Sequence, residues 1–204
     1  DDHIQYRSPE LRGQSFIALK THKITSVKLH LGRDNNPGEA TVYIALGTDF
    51  PSGTSVPTYV RGQSTLNLNT AIAGSGWGSA QWVEFSFASP IFIPSGVQFA
   101  IWLECVGAYN NEVMWGFATT GSYPRGDKLY YHSTTGLRID SGQDFMFEEW
   151  GGEVIRPSTI SGIAGSPGVG ASPGVNAGQL GAGVEAGVLS AGVMTVMKKP
   201  WGRK

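Results

Sequence analysis

A period of two dominates the chain from Gly13 to about Gly151. In "ITSVKLHLG", Val27, Leu29 and Leu31 alternate with Lys28 and His30; in "ATVYIALGT", Val42, Ile44 and Leu46 alternate with Thr41, Tyr43 and Ala45. "QWVEFSFA" sets Val83, Phe85 and Phe87 against Trp82, Glu84 and Ser86, and "VQFAIWLEC" repeats the scheme with Trp102 and Glu104 pointing outward. Successive side chains of a strand point to opposite faces, so this pattern specifies half-buried antiparallel strands over one core. Shorter candidates follow in "EVMWGFA", "DKLYYHS" and "DFMFEEW", and no stretch carries the 3.6-residue spacing of a helix. Clusters rich in Gly, Pro, Asn and Asp, such as "GRDNNPGE", "TDFPSGTSVP" and "SPIFIPSG", separate the strands and read as turns. Eight to ten strands at this spacing predict an all-β, antiparallel two-sheet sandwich of the jelly-roll kind over residues 13–151, after an extended arm at 1–12.

At about Gly152 the composition changes. Residues 152–204 are Gly-, Ala- and Val-rich, with "SPGV" at Ser166 and again at Ser172 and then a run of "AGV" units. Val169, Val175, Leu180, Val184, Val188 and Val193 recur in it, and Lys198, Lys199, Arg203 and Lys204 surround Trp201 near its end. A segment so poor in large side chains buries too little area to offset its own ordering entropy. Two readings follow: a flexible Gly/Ala/Ser linker, or an extended tail that gains order by lying along neighbouring subunits, for which the regular apolar residue after each glycine argues. The tail is expected to contact other subunits. The low charged fraction of the whole chain, 15% against roughly 25% in ordinary domains, points the same way.

A net charge of −1 gives no electrostatic footing for nucleic acid, and no apolar run reaches the length of a membrane span. The opening residues lack a basic n-region and an apolar h-region, so no secretory signal is expected in them. The lone cysteine, Cys105, shares a strand face with Phe99, Ile101 and Leu103 and is expected to be a buried apolar thiol. His3, His22, His30 and His132 show no metal-ligand spacing; His22 and His30 read as solvated imidazoles. Asp34, Asn35, Asn36 and Glu39 offer oxygen ligands in the 33–39 loop, but without EF-hand spacing they read as a hairpin turn. No nucleophile elbow, phosphate-binding loop or local carboxylate pair appears, so neither catalysis nor a cofactor or metal is expected. The outward aromatics remain: Trp82, Trp102, Trp115, Tyr130 and Tyr131 beside His132, with Trp77 in a loop. Such faces pack against other subunits, pack within the sandwich itself, or stack on sugar rings.

The first six residues, "DDHIQY", resemble the "DDHxQY" element that recurs in bacteriophage tail-fibre and other virion-appendage proteins, where it commonly precedes a new structural module. Asp1, Asp2, His3, Gln5 and Tyr6 match, with Ile4 at the variable position. Gln14 to Phe16, Ile24 to Leu29, Trp82 to Phe85, Gly96 to Ile101 and the pair Trp115–Gly116 also resemble, in order, the strands of jelly-roll modules in bacterial surface and phage structural proteins. The resemblance implies a non-catalytic virion structural protein, a tail fibre or capsid decoration subunit. It would assemble through its termini as a homo-oligomer, commonly a trimer, with other virion proteins, and could contribute to host attachment. The alternative is a carbohydrate-binding module of a bacterial surface or secreted protein.

Overall fold

The computed structural model describes residues 2–5, 10–50, 56–105, 111–118, 123–132 and 134–154. Among these lie twelve strands: β1 (Asp2–Gln5), β2 (Glu10–Ile17), β3 (His22–Asp34), β4 (Glu39–Leu46), β5 (Val60–Asn67), β6 (Gln81–Ile93), β7 (Gln98–Cys105), β8 (Glu112–Ala118), β9 (Lys128–His132), β10 (Gly136–Asp140), β11 (Asp144–Phe145) and β12 (Phe147–Glu153). A single turn of helix, α1 (Leu68–Ala71), and a 3-10 turn at Trp77–Ser79 complete the list. The strands form the two antiparallel sheets that the alternation predicts. The first, sheet A, holds β6, β3, β8, β12, β11 and β1; sheet B runs β10-β9-β2-β7-β4-β5.

The connectivity is that of a ribbon folded across two layers. β2 pairs with β7 in sheet B, and β3, which follows β2, pairs with β6 in sheet A. The two turns of that ribbon hold each other: Gly96 N–H donates to Ala18 O at 3.0 Å and Ser95 Oγ donates to Leu19 O at 2.8 Å. Between the sheets sits the main core, with Phe16, Val27, Leu29, Val42, Ile44, Phe85, Phe99, Ile101, Trp115 and Phe145. Each large side chain buried there is worth roughly 1.5–3 kcal/mol. Cys105 belongs to this core, as its strand face predicts, and burial pushes its thiol pKa well above the ordinary range.

Several expectations need correction. Asp2–Gln5 is not a free arm: it pairs antiparallel with β8, from Asp2 opposite Phe117 to Gln5 opposite Met114. The boundaries at 13 and 151 fall inside β2 and β12. "RDNNPGE" is not a hairpin, because β3 and β4 lie in different sheets and the loop crosses between them. "SPIFIPSG" is only partly a turn. β6 continues to Ile93 through a register shift in which Ile24 faces Ile91 but Ser26 faces Ser86, and Pro90 sits in the extra residues. A proline, which has no N–H for the ladder, is tolerated at such an irregularity. Asp1, Tyr6, Val169, Val175, Leu180, Val184, Val188, Val193 and Trp201 lie outside the described residues, as does the tail from 155 onward.

A polar bridge ties the layers together. Gln14 occupies an inward position of β2 and is fully buried. Its Nε2 donates to Asp144 Oδ1 at 3.0 Å and to Ser15 O at 3.2 Å, while its Oε1 accepts from Phe145 N–H at 2.7 Å. The other oxygen of Asp144 accepts from Tyr123 N–H at 2.8 Å. Sheet B is thereby joined to β11 of sheet A through a carboxylate and a carboxamide that are both satisfied, as buried polar groups must be.

Candidate functional site

The aromatic residues singled out in the sequence divide into three environments. Trp115 is fully buried in the main core, stacked on Phe145 at 4.3 Å with its Nε1–H donating to Met146 O at 2.9 Å. It is not an outward residue. Trp102 does face away from the main core, as alternation requires, yet it too is fully buried. Phe50, from the loop after β4, packs edge-on against Trp102 at 4.6 Å and stacks on Tyr131 at 3.9 Å. With Leu11, Tyr43, Ala45, Ala100 and Leu129 they form a second apolar cluster on the outer side of sheet B. Gly13 makes room for it: a Cβ there would lie 2.5 Å from the Trp102 ring. Trp102, Trp115 and Tyr131 are therefore packing residues.

Of Trp82, Trp102 and Trp115, Trp82 reaches the surface, at 37% exposure. It stands on the outer face of sheet A beside His30, whose ring lies edge-on between Trp82 at 5.4 Å and Trp77 at 5.3 Å. Trp77 lies over Gly116, where a Cβ would approach its ring to 2.8 Å. The face continues through Lys28, which sits 4.5 Å over the Trp150 ring and 3.6 Å from Glu84. His30 is thus not a freely solvated imidazole. Burial lowers its pKa, and its Nδ1 has no hydrogen-bond partner. His22 is likewise engaged: its Nε2 lies 3.4 Å from Glu149 Oε1, and that contact raises its pKa.

The third environment is an open groove of about 700 Å³ where β2, β9 and β10 extend beyond the cover of sheet A. Its floor is Tyr130, over which the Arg12 guanidinium lies at 4.4 Å, with Glu10 paired to that arginine. His132, Arg138, Asp140 and the 58%-exposed Ile139 line the rest. His132 Nδ1 accepts from Thr134 N–H at 3.2 Å. Burial first, and the nearby Asp140 charge second, push the Tyr130 hydroxyl pKa up to about 12 against the pull of Arg12, so at neutral pH it is an uncharged donor. Tyr130 and Tyr131, adjacent in sequence, face opposite sides of the sheet.

These surfaces supply aromatic planes and hydrogen-bonding groups. The outward strand carboxylates Glu84 and Glu104 are separately engaged. Glu104 accepts from Tyr43 Oη at 2.6 Å on the outer side of sheet B, and Glu84 accepts from Ser26 Oγ at 2.7 Å on the outer side of sheet A. Two acids on opposite outer faces cannot work across one cleft. In the 33–39 loop, Asp34 Oδ1 accepts from Ser75 Oγ at 3.0 Å. Among the described residues no group of three or more His, Cys, Asp or Glu side chains is gathered as a metal site, and no helix is long and apolar enough to cross a membrane. Sequence alone did not bring His30 together with Trp77, nor point to Arg12 and Arg138. The first pair joins a strand to a distant loop, and the second comes from strands 126 positions apart. No family model matches the chain, and no match was found among curated proteins.

Proposed function

We propose that this chain is a non-enzymatic structural module of a bacteriophage virion, part of a tail fibre or other appendage or of a capsid decoration, that displays its sandwich at the particle surface and assembles as a homo-oligomer. The observation that carries the reading is the union of the "DDHxQY"-like segment with the sandwich. Asp2–Gln5 forms an edge strand of sheet A, in register with β8. A segment that leads into a module and is hydrogen-bonded to it fits an element that recurs ahead of such modules. Immunogold labelling of virus particles from the source culture, with antibodies to the purified chain, is expected to decorate the particles. Label confined to material free of particles overturns the assignment. Light scattering of the full chain is expected to report an oligomer, with a trimer as the leading stoichiometry; a monomer at all concentrations removes the assembly part.

A second reading, a carbohydrate-binding module, is favoured by the exposed Trp82–His30–Trp77 group and by Tyr130 in the groove, since aromatic planes stack on sugar rings. A glycan array probed with the full chain tests it. Binding that survives Trp82→Ala and Tyr130→Ala alike rules out both surfaces.

A further inference from the structure

Lys128 is the most enclosed charged residue among those described, at 1% exposure. Lysine is almost never buried this deeply unless its ammonium has specific partners. The Lys128 Nζ sits against three rings, 4.1 Å from the centroid of Phe117, 5.2 Å from Tyr130 and 5.7 Å from Phe145. Asp140 Oδ2 lies 3.3 Å from it, and Oε1 of Gln143 is in direct contact. The carboxamide carbon of Gln143 is one covalent bond beyond the oxygen that Nζ touches. The three residues are held in place by the backbone. Asp140 is the cross-strand partner of Lys128 in the β9–β10 pair. The turn leading to Gln143 is closed by Gly142 N–H donating to Asp140 Oδ1 at 3.3 Å. Asp144, next in the chain, is clamped by Gln14 and Tyr123 N–H.

We infer that Lys128 and Gln143 become joined by an intramolecular isopeptide bond, with Asp140 as the proton carrier. The aromatic walls close the amine off from bulk water, and its nucleophilic form arises when the neighbouring carboxylate takes a proton. A carboxylate within contact distance takes its proton. Fixed strands and a closed turn hold the reactants together, which replaces an encounter with a unimolecular step.

The step balances without an outside reagent. Asp140 accepts a proton from the Lys128 ammonium. The freed Nζ lone pair forms a bond to Cδ of Gln143, and the C=O electron pair moves onto Oε1. Asp140 passes a proton to Nε2, the C–O double bond re-forms, and the Cδ–Nε2 bond breaks with its electron pair leaving on nitrogen. The new amide nitrogen sheds its extra proton to the departing ammonia. One ammonium enters and one ammonium leaves. The product is an amide bridge that closes the chain from 128 to 143 and ties the β9–β10 edge of sheet B to the turn that enters β11 of sheet A. Such a closure restricts the unfolded chain as a disulfide does, but is indifferent to reductant.

Mass spectrometry of the purified full chain, denatured before injection, is the test. The expected result is a mass lower than that of the sequence by about 17 Da, one ammonia. Trypsin should leave Lys128 uncut and release a branched peptide joining it to Gln143. Lys128→Arg and Asp140→Asn are each expected to restore the full mass, and Asp140→Asn leaves both bonded partners in place. A full-length mass in the unmutated chain, with normal cleavage after Lys128, overturns the inference. So does a loss of ammonia without the branched peptide, because an asparagine can shed ammonia by cyclising on itself.

Discussion

The bridge between Gln14 and Asp144 allows a prediction with a worked magnitude. Gln14→Leu keeps the inward side chain close in size but removes a carboxamide that makes three hydrogen bonds. Three groups lose a partner inside the core: Ser15 O and, at greater cost, the pair formed by Phe145 N–H and the Asp144 carboxylate, the latter left with Tyr123 N–H. An orphaned buried group costs about 1–3 kcal/mol, with a charged one toward the upper end. The pair thus costs about 4–5 kcal/mol. Burying an aliphatic side chain in place of a carboxamide returns about 1–2 kcal/mol. The net loss is about 3 kcal/mol, which for a folded unit of this size lowers Tm by roughly 6–12 °C. Urea unfolding followed by tryptophan fluorescence measures it, with an unchanged m-value showing that the same surface is still exposed. Replacing Asp144 with Asn in both backgrounds closes a double-mutant cycle, and the coupling is expected to exceed about 1 kcal/mol. A Gln14→Leu loss below about 0.5 kcal/mol refutes the bridge as a stabilising element.

Three further outcomes follow from the packing and the charges. Gly13→Val forces a branched side chain into the Trp102 ring, where even a Cβ would lie at 2.5 Å; a loss of about 2–4 kcal/mol is expected in the same unfolding assay, against almost none for Gly152→Ala, which meets no neighbour. Cys105 should resist a thiol-reactive dye at pH 8 in the native chain and react fully in denaturant, because burial disfavours its thiolate. His30 has its pKa held below the ordinary value of 6.5, so the unfolded chain binds the proton more tightly. Its neutral form is accommodated above pH 6.5, and stability falls as pH drops below it. His22 acts in the opposite sense: its raised pKa adds stability below pH 6.5 that disappears as pH rises through the folded value. The urea midpoint at pH 5, taken relative to that at pH 7, should therefore rise in His30→Gln and fall in His22→Gln.

Much of the sandwich was legible because alternation is a local property. Val83 and Phe85 face in while Trp82 and Glu84 face out, as their positions in "QWVEFSFA" require. What failed was cover supplied from far along the chain. Trp102 points to the predicted side, but Phe50 closes over it, and nothing within "VQFAIWLEC" records that. In "EVMWGFA" the alternation is lost because β8 is covered on both sides, by the core through Trp115 and by Trp77 over Gly116. β5, "VRGQSTLN", escaped notice because an edge strand lacks the large apolar residues that mark a central one. Of the groove, Tyr130 and His132 were visible as a cluster, whereas Arg12 was not, since only the pairing of β2 with β9 brings it there. Gln14 carried a usable signal, a polar residue on an otherwise inward face, but its partner is 130 positions away.

The nested ribbon also constrains how this chain can be made. β2 lies in the middle of sheet B between β7 and β9, so both of its neighbours leave the ribosome long after it. Until Lys128–His132 has emerged, Leu11 and Gly13 have no cross-strand partners on one side, and the nascent chain must carry unpaired strand edges in the meantime. Completion of the sheet is in effect a late, all-at-once event, and yield should respond to translation speed and temperature more than to the stability of the finished fold.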